Sequence, residues 1–94
     1  MIQREIVTLS GRVQAVGFRD TVLRIAQRHP VAGTVRNLRE HDRIELDVEG
    51  APEVIAAFID DVLSNRPPTA RVDAVVRKRA APRGATRFDL AETP

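Results

Sequence analysis

Residues 5–13, EIVTLSGRV, alternate in the manner of a strand. The period then changes. Val22, Ile25, Ala26 and His29 fall at i, i+3, i+4 and i+7, with Phe18 one turn earlier, which predicts a helix that Pro30 stops. Gly33 opens a second strand, GTVRNL, and the polar turn REHD leads to a third, RIELDVEG. In that third strand Ile44, Leu46 and Val48 alternate with Glu45, Asp47 and Glu49. Pro52 suits the first position of a second helix, whose apolar stripe is Ile55, Phe58, Ile59 and Val62. RPP at 66–68 ends it, a fourth strand ARVDAVVRKR follows, and the loop APRGAT leads into a short RFDL segment.

The order strand–helix–strand–strand–helix–strand predicts two split βαβ halves around one sheet. That is an α+β fold, a ferredoxin-like α/β sandwich with both helices on one face of an antiparallel sheet. The alternation of the third strand puts Glu45, Asp47 and Glu49 on the open face. Residues 1–90 are expected to form the single domain and AETP, 91–94, a frayed tail.

Composition narrows the field more than it points. Ninety-four residues fit one domain with one modest core, burying roughly 60–65% of the unfolded surface. No apolar run reaches the roughly 18 residues of a membrane span, and the N-terminus lacks a signal-like apolar stretch, so a cytoplasmic location with no membrane partner is expected. The chain has no cysteine, which removes disulfides, a thiolate nucleophile and zinc–thiolate sites. His29 and His41 lack a second ligand at metal spacing, so both read as structural and no metal or cofactor is expected. The net charge is +2, and Lys78 is the only lysine among 15 basic residues. Arginine's planar fork suits phosphate and carboxylate, but arginine content by itself reflects codon bias as readily as function.

The stretch GRVQAVGFR, residues 11–19, carries the chemistry. A loop between a strand end and a helix start turns successive N–H groups toward one point, and small residues let a ligand come close to them. First-turn amides of a helix have no internal partner and carry about half a positive charge together. Arg19 at that end is unfavourable to the isolated helix by roughly a few tenths of a kcal/mol. An anion in the concavity reverses the sign, since amides and guanidinium together cradle a tetrahedral oxyanion such as phosphate. Equally, Arg19 can extend into solvent or pair with Asp20, and Gly17 can simply permit a tight turn. Asn37 is the second element. A carboxamide in a strand is unfavoured. It reads either as a strand-end residue making a turn hydrogen bond or as an oriented group that holds a water molecule, and the fold lets the end of the second strand approach the loop after the first.

GRVQAVGFR resembles the acylphosphatase signature G-[RK]-V-Q-G-V-x-[FY]-R, matching eight of its nine positions, and GTVRN at 33–37 is similar to the opening of that family's second signature. The resemblance extends through the E-G before the second helix, ARVD and the final F-x-L. It implies the ferredoxin-like fold and an enzyme that hydrolyses the carboxyl–phosphate bond of small acyl phosphates, releasing inorganic phosphate. It implies Arg19 as the phosphate-binding catalytic residue and Asn37 as the residue orienting the attacking water. Gln14, Ala15, Val16, Gly17, Phe18 and Arg19 then supply the phosphate-binding loop. A carboxylate leaving group needs little acid catalysis, and phosphoryl transfer is largely positioning and charge stabilisation, each donor being worth about 3–4 kcal/mol.

Two departures stand out. Ala15 occupies a position where the family usually has Gly, which costs roughly 1 kcal/mol if φ is positive there. The turn after Asn37, LREHDR, lacks the usual Gly and reads one residue longer. Three other readings compete. A nucleic-acid module of the same fold stacks bases on strand aromatics, whereas the aromatics here are Phe18, Phe58 and Phe88 and the third strand turns carboxylates outward; no nucleic-acid partner is expected. A non-catalytic phosphate- or carbamoyl-phosphate-binding module is the main alternative; a chain ending at Pro94 favours a free-standing enzyme, expected to be monomeric. A purely structural domain leaves the loop and Asn37 unexplained.

Overall fold

The computed structural model describes all residues, 1–94. Its elements are β1 (Gln3–Arg12), α1 (Phe18–Ala26), β2 (Ala32–Asn37), β3 (Arg43–Gly50), α2 (Pro52–Ser64), β4 (Arg71–Ala80) and β5 (Phe88–Leu90). The sheet order is β4-β1-β3-β2-β5. β1 pairs antiparallel with β3 and β4, and β2 pairs antiparallel with β3. β5 adds parallel to β2, Gly33 opposite Phe88 and Val35 opposite Leu90, so the sheet is mixed rather than wholly antiparallel. No helix is long and apolar enough to cross a membrane.

The core lies where the apolar periods of strands and helices meet. Val7 and Leu9 of β1, Val35 of β2 and Ile44, Leu46 and Val48 of β3 turn to one face. Phe18, Val22, Ile25 and Ala26 of α1 and Ile55, Phe58, Ile59 and Val62 of α2 cover that face, and all belong to one buried cluster. Phe58 meets Phe88 edge-to-face at 5.5 Å, tying α2 to β5. Full burial of one such side chain contributes about 1.5–3 kcal/mol. β4, by contrast, is exposed along nearly its whole length. The helix-side pair there is ionic: Arg77 donates to both carboxylate oxygens of Glu5 at 2.7 and 3.0 Å.

α1 stops at Ala26, three residues short of His29. Residues 27–30 form a turn from which His29 reaches Asp61 of α2, Nε2 to Oδ2 2.8 Å, with its ring edge-on to Phe58. The tail is held as well: Ala91 N–H donates to the Val35 carbonyl, and Arg39 Nε to the Pro94 oxygen.

The second face of the sheet corrects the expectation of an open acidic surface. Asp47 and Glu49 are only 6% and 4% exposed. The connection from β4 to β5 folds over them. Glu49 accepts the N–H groups of Arg83, Gly84 and Ala85, and Asp47 accepts from Arg4 Nε and Nη2 and from Arg83 Nη2. Buried carboxylates persist only with partners of this kind. Glu45 pairs with Arg36 at 3.0 Å. Repulsion by bare carboxylates is therefore no argument against a nucleic acid, although all three Phe side chains lie in the core and none is offered for stacking. Under the crossing, Gly33 sits at φ 140°, and a Cβ there would lie 1.7 Å from the Asp47 carbonyl oxygen, so β2 can approach β3 this closely only with glycine.

Candidate active site

β1 leaves the sheet through an irregularity. Its register against β4 shifts between Ser10 and Gly11. Val13 anchors the exit in the core at 1% exposure. The loop then alternates handedness. Ala15 has φ 58° and Gly17, the residue before α1, has φ 81°. Left-handed residues among ordinary ones turn neighbouring N–H groups to the same side and make an anion-binding concavity. Ala15 thus lies in the conformation that makes its methyl group unfavourable.

The start of α1 has no side-chain cap. Thr21 uses both its N–H and its hydroxyl on the Gly17 carbonyl, at 3.2 and 3.1 Å, and leaves the amides ahead of it alone. The N–H groups of Ala15, Val16 and Gly17 donate to no protein acceptor, and the first helical amides have none by construction. Beside them lies a cavity of about 80 Å³ lined by Val13, Ala15, Gly17, Phe18, Arg19, Asp20 and Asn37. One water needs roughly 10–15 Å³, so the cavity has room for a group the size of phosphate.

Arg19 is half-buried and takes part in none of the molecule's ion pairs; the pairing with Asp20 does not form. Asn37 ends β2, and its Oδ1 is the one buried side-chain polar atom in the protein without a hydrogen-bond partner. The unpaired Arg19, the loop residues Ala15 and Gly17, and Asn37 with its buried, unpartnered oxygen come together around one hollow. The buried Asn37 oxygen is costly to leave unpaired, and a free guanidinium beside a loop of unpaired amides suits a tetrahedral anion.

Two of the loop residues expected to bind phosphate stand apart from the hollow. Val16 does not line it, and Gln14 is committed elsewhere. Gln14 Nε2 donates to the carbonyls of Leu38 and Arg43 at 2.9 and 2.8 Å, and its N–H goes to Asp42 Oδ1 at 2.8 Å. The same Asp42 oxygen accepts the Val13 N–H at 2.9 Å. Gln14 therefore joins the loop to the β2–β3 turn rather than facing a ligand. Asp42 carries no mark in the residue pattern, where it is one polar residue in a polar turn. The available signal is that Asp side chains near strand ends commonly accept main-chain N–H groups.

A family model for acylphosphatase matches residues 5–90, nearly the whole chain. The chain belongs to the acylphosphatase family. An acylphosphatase of Pseudothermotoga lettingae is 35% identical over 89 residues, covering 95% of this chain and 98% of that protein. The crystal structure of the Bacillus subtilis acylphosphatase superposes with a TM-score of 0.84 at 33% identity, covering 97% of this chain and 99% of that one. The chain is also 39% identical over 67 residues to a probable carbamoyltransferase HypF of Methanocaldococcus jannaschii, covering 71% of this chain but only 8% of that much longer protein.

Proposed function

We propose that this acylphosphatase hydrolyses the carboxyl–phosphate bond of small acyl phosphates by direct attack of water, with Arg19 and Asn37 as its catalytic residues and without a metal ion. The observation that carries the reading is that Asn37, whose Oδ1 is buried without a partner, lines the same cavity as an unpaired Arg19. The phosphoryl group sits against the amides of Ala15, Gly17, Phe18 and Arg19 and against the guanidinium. Asn37 Oδ1 accepts a hydrogen bond from water and holds its oxygen toward phosphorus, removing much of the orientational barrier. As the new P–O bond forms, the bond from phosphorus to the acyl oxygen breaks and the carboxylate leaves with the electron pair. The water proton passes to a phosphoryl oxygen, which asks no protein base to titrate. Charge on the equatorial oxygens is met by Arg19 and the amides, donors already in place. The positive charge comes from the chain itself. In this reading the protein works as a cytoplasmic monomer on a small-molecule substrate.

The likeness to part of a carbamoyltransferase supports one other reading, a domain that binds phosphate or carbamoyl phosphate without turnover. Release of inorganic phosphate from acetyl phosphate, in buffer containing a chelator, separates the two. Wild type turns over, and Arg19→Ala and Asn37→Ala each lose at least about 100-fold in kcat/KM. Variants as fast as wild type overturn the mechanism. A wild type that binds phosphate but hydrolyses nothing selects the binding domain.

A further inference from the structure

We propose that Asp42 is a positioning residue of this site, holding the strand exit at Val13 and Gln14 so that the amides that follow converge on the phosphoryl group. The proposal rests on the hydrolase reading above, and its geometry is independent of it. One carboxylate oxygen takes two consecutive main-chain N–H groups, Val13 at 2.9 Å and Gln14 at 2.8 Å. Two bonds to adjacent peptide units fix their orientation as well as their position. The Asp42 carbonyl also accepts the Gly11 N–H at 3.2 Å, so the residue grips the chain on both sides of Arg12.

The grip joins the two halves of the site. From the loop side, Gln14 reaches back to the carbonyls of Leu38 and Arg43, which flank the β2–β3 turn. Leu38 directly follows Asn37. Loop 13–17, which leads into Arg19, and turn 38–43, which follows Asn37, are thereby bolted to each other. His41, at φ 64°, gives the turn the bend that brings Asp42 to the loop.

Ala15 makes the grip necessary. With glycine, φ 58° is easily held; with alanine it is disfavoured, and a loosened loop would rotate out of it. The two amides just before Ala15 are those that Asp42 holds. The loop's donors are thus divided: the amides of Val13 and Gln14 serve the carboxylate, and those of Ala15, Gly17, Phe18 and Arg19 remain for an anion. A misplacement of about 1 Å costs catalysis on the order of 100-fold.

The test compares Asp42→Ala, which removes the acceptor, with Asp42→Asn, which keeps an acceptor oxygen and removes the charge. Hydrolysis of acetyl phosphate and binding of inorganic phosphate are both measured, and the exchange of the Val13 and Gln14 amide protons is followed by NMR. Asp42→Ala lowers kcat/KM by about 10- to 100-fold, weakens phosphate binding by about 10-fold and frees both amides to exchange, while Asp42→Asn stays within about 3-fold of wild type. Wild-type phosphate binding and turnover in Asp42→Ala, with both amides exchanging freely, overturn the proposal. So does an Asn variant as impaired as Ala, because charge rather than acceptance would then be at work. If wild type hydrolyses nothing but binds phosphate, and Asp42→Ala weakens that binding, the hydrolase reading falls and the positioning role stands. If wild type does neither, both fall.

Discussion

Replacing Asn37 by alanine should leave the protein as stable or more stable while removing its turnover. The usual outcome of a substitution in a folded domain is a loss near 1 kcal/mol. Here the sign reverses, because Oδ1 is buried without a partner. A buried acceptor left unpaired costs about 1–3 kcal/mol relative to water. Truncation returns that, less about 0.5 kcal/mol for the packing of a half-buried side chain. The net is about 0.5–2.5 kcal/mol of added stability in a dry cavity, falling toward zero where water already bonds Oδ1. For a domain of this size each kcal/mol moves the melting midpoint by roughly 4–8 °C. The chain has no Trp or Tyr, so urea and thermal unfolding are followed by far-ultraviolet circular dichroism. Because the carboxamide does not titrate, the gain is the same across neutral pH. A loss of more than about 1 kcal/mol in Asn37→Ala would refute the reasoning, since the carboxamide would then be supporting the fold rather than waiting for a ligand.

Two other outcomes follow from the same structure. Ala15→Gly relieves the φ 58° residue; the left-handed penalty of about 1–2 kcal/mol, set against a glycine entropy cost of about 0.5–1 kcal/mol, gives up to about 1.5 kcal/mol of added stability with activity undiminished, and a clear loss of stability contradicts it. Hydrogen bonds from Arg77 hold the Glu5 carboxyl below its ordinary value of 4.5, against the opposing effect of burial. A depressed carboxyl stabilises above its unfolded value, and that stability disappears as pH falls through the folded value. Glu5→Gln should therefore be less stable than wild type at neutral pH by about 1 kcal/mol, a modest figure because Arg77 is partly exposed, with the gap closing in acid; a gap that does not change with pH removes the ion pair from the account.

Periodicity made the core legible. The stripe Ile55, Phe58, Ile59 and Val62 is buried as spaced, and Pro52 begins α2. It misled at the end of α1, where His29 continues the helical spacing but leaves the helix to meet Asp61. Alternation placed Glu45, Asp47 and Glu49 correctly on the second face, yet nothing local shows that residues 83–85 will return to cover two of them. The parallel partnership of β5 with β2 is equally invisible, being three residues of pairing between segments far apart in the chain. At the site, the residues alone left Arg19 and Asn37 open between bland and functional readings; the resemblance in GRVQAVGFR and GTVRN singled them out, and the fold sets both beside one cavity. Asp42 and the true use of Gln14 were not legible, since their contacts depend on how closely one turn approaches another.

The size of the hollow has a consequence for choice of substrate. About 80 Å³ suffices for the end that all phosphorylated acids share, and whatever is attached must stay in solvent. An enzyme that grips only this common end discriminates by bond lability rather than by shape. Rates across a series of substrates would track the acidity of the departing carboxylic acid and ignore its bulk. Sugar and alcohol monoesters would enter the same hollow, find no proton for a departing alkoxide, and remain as uncleaved occupants.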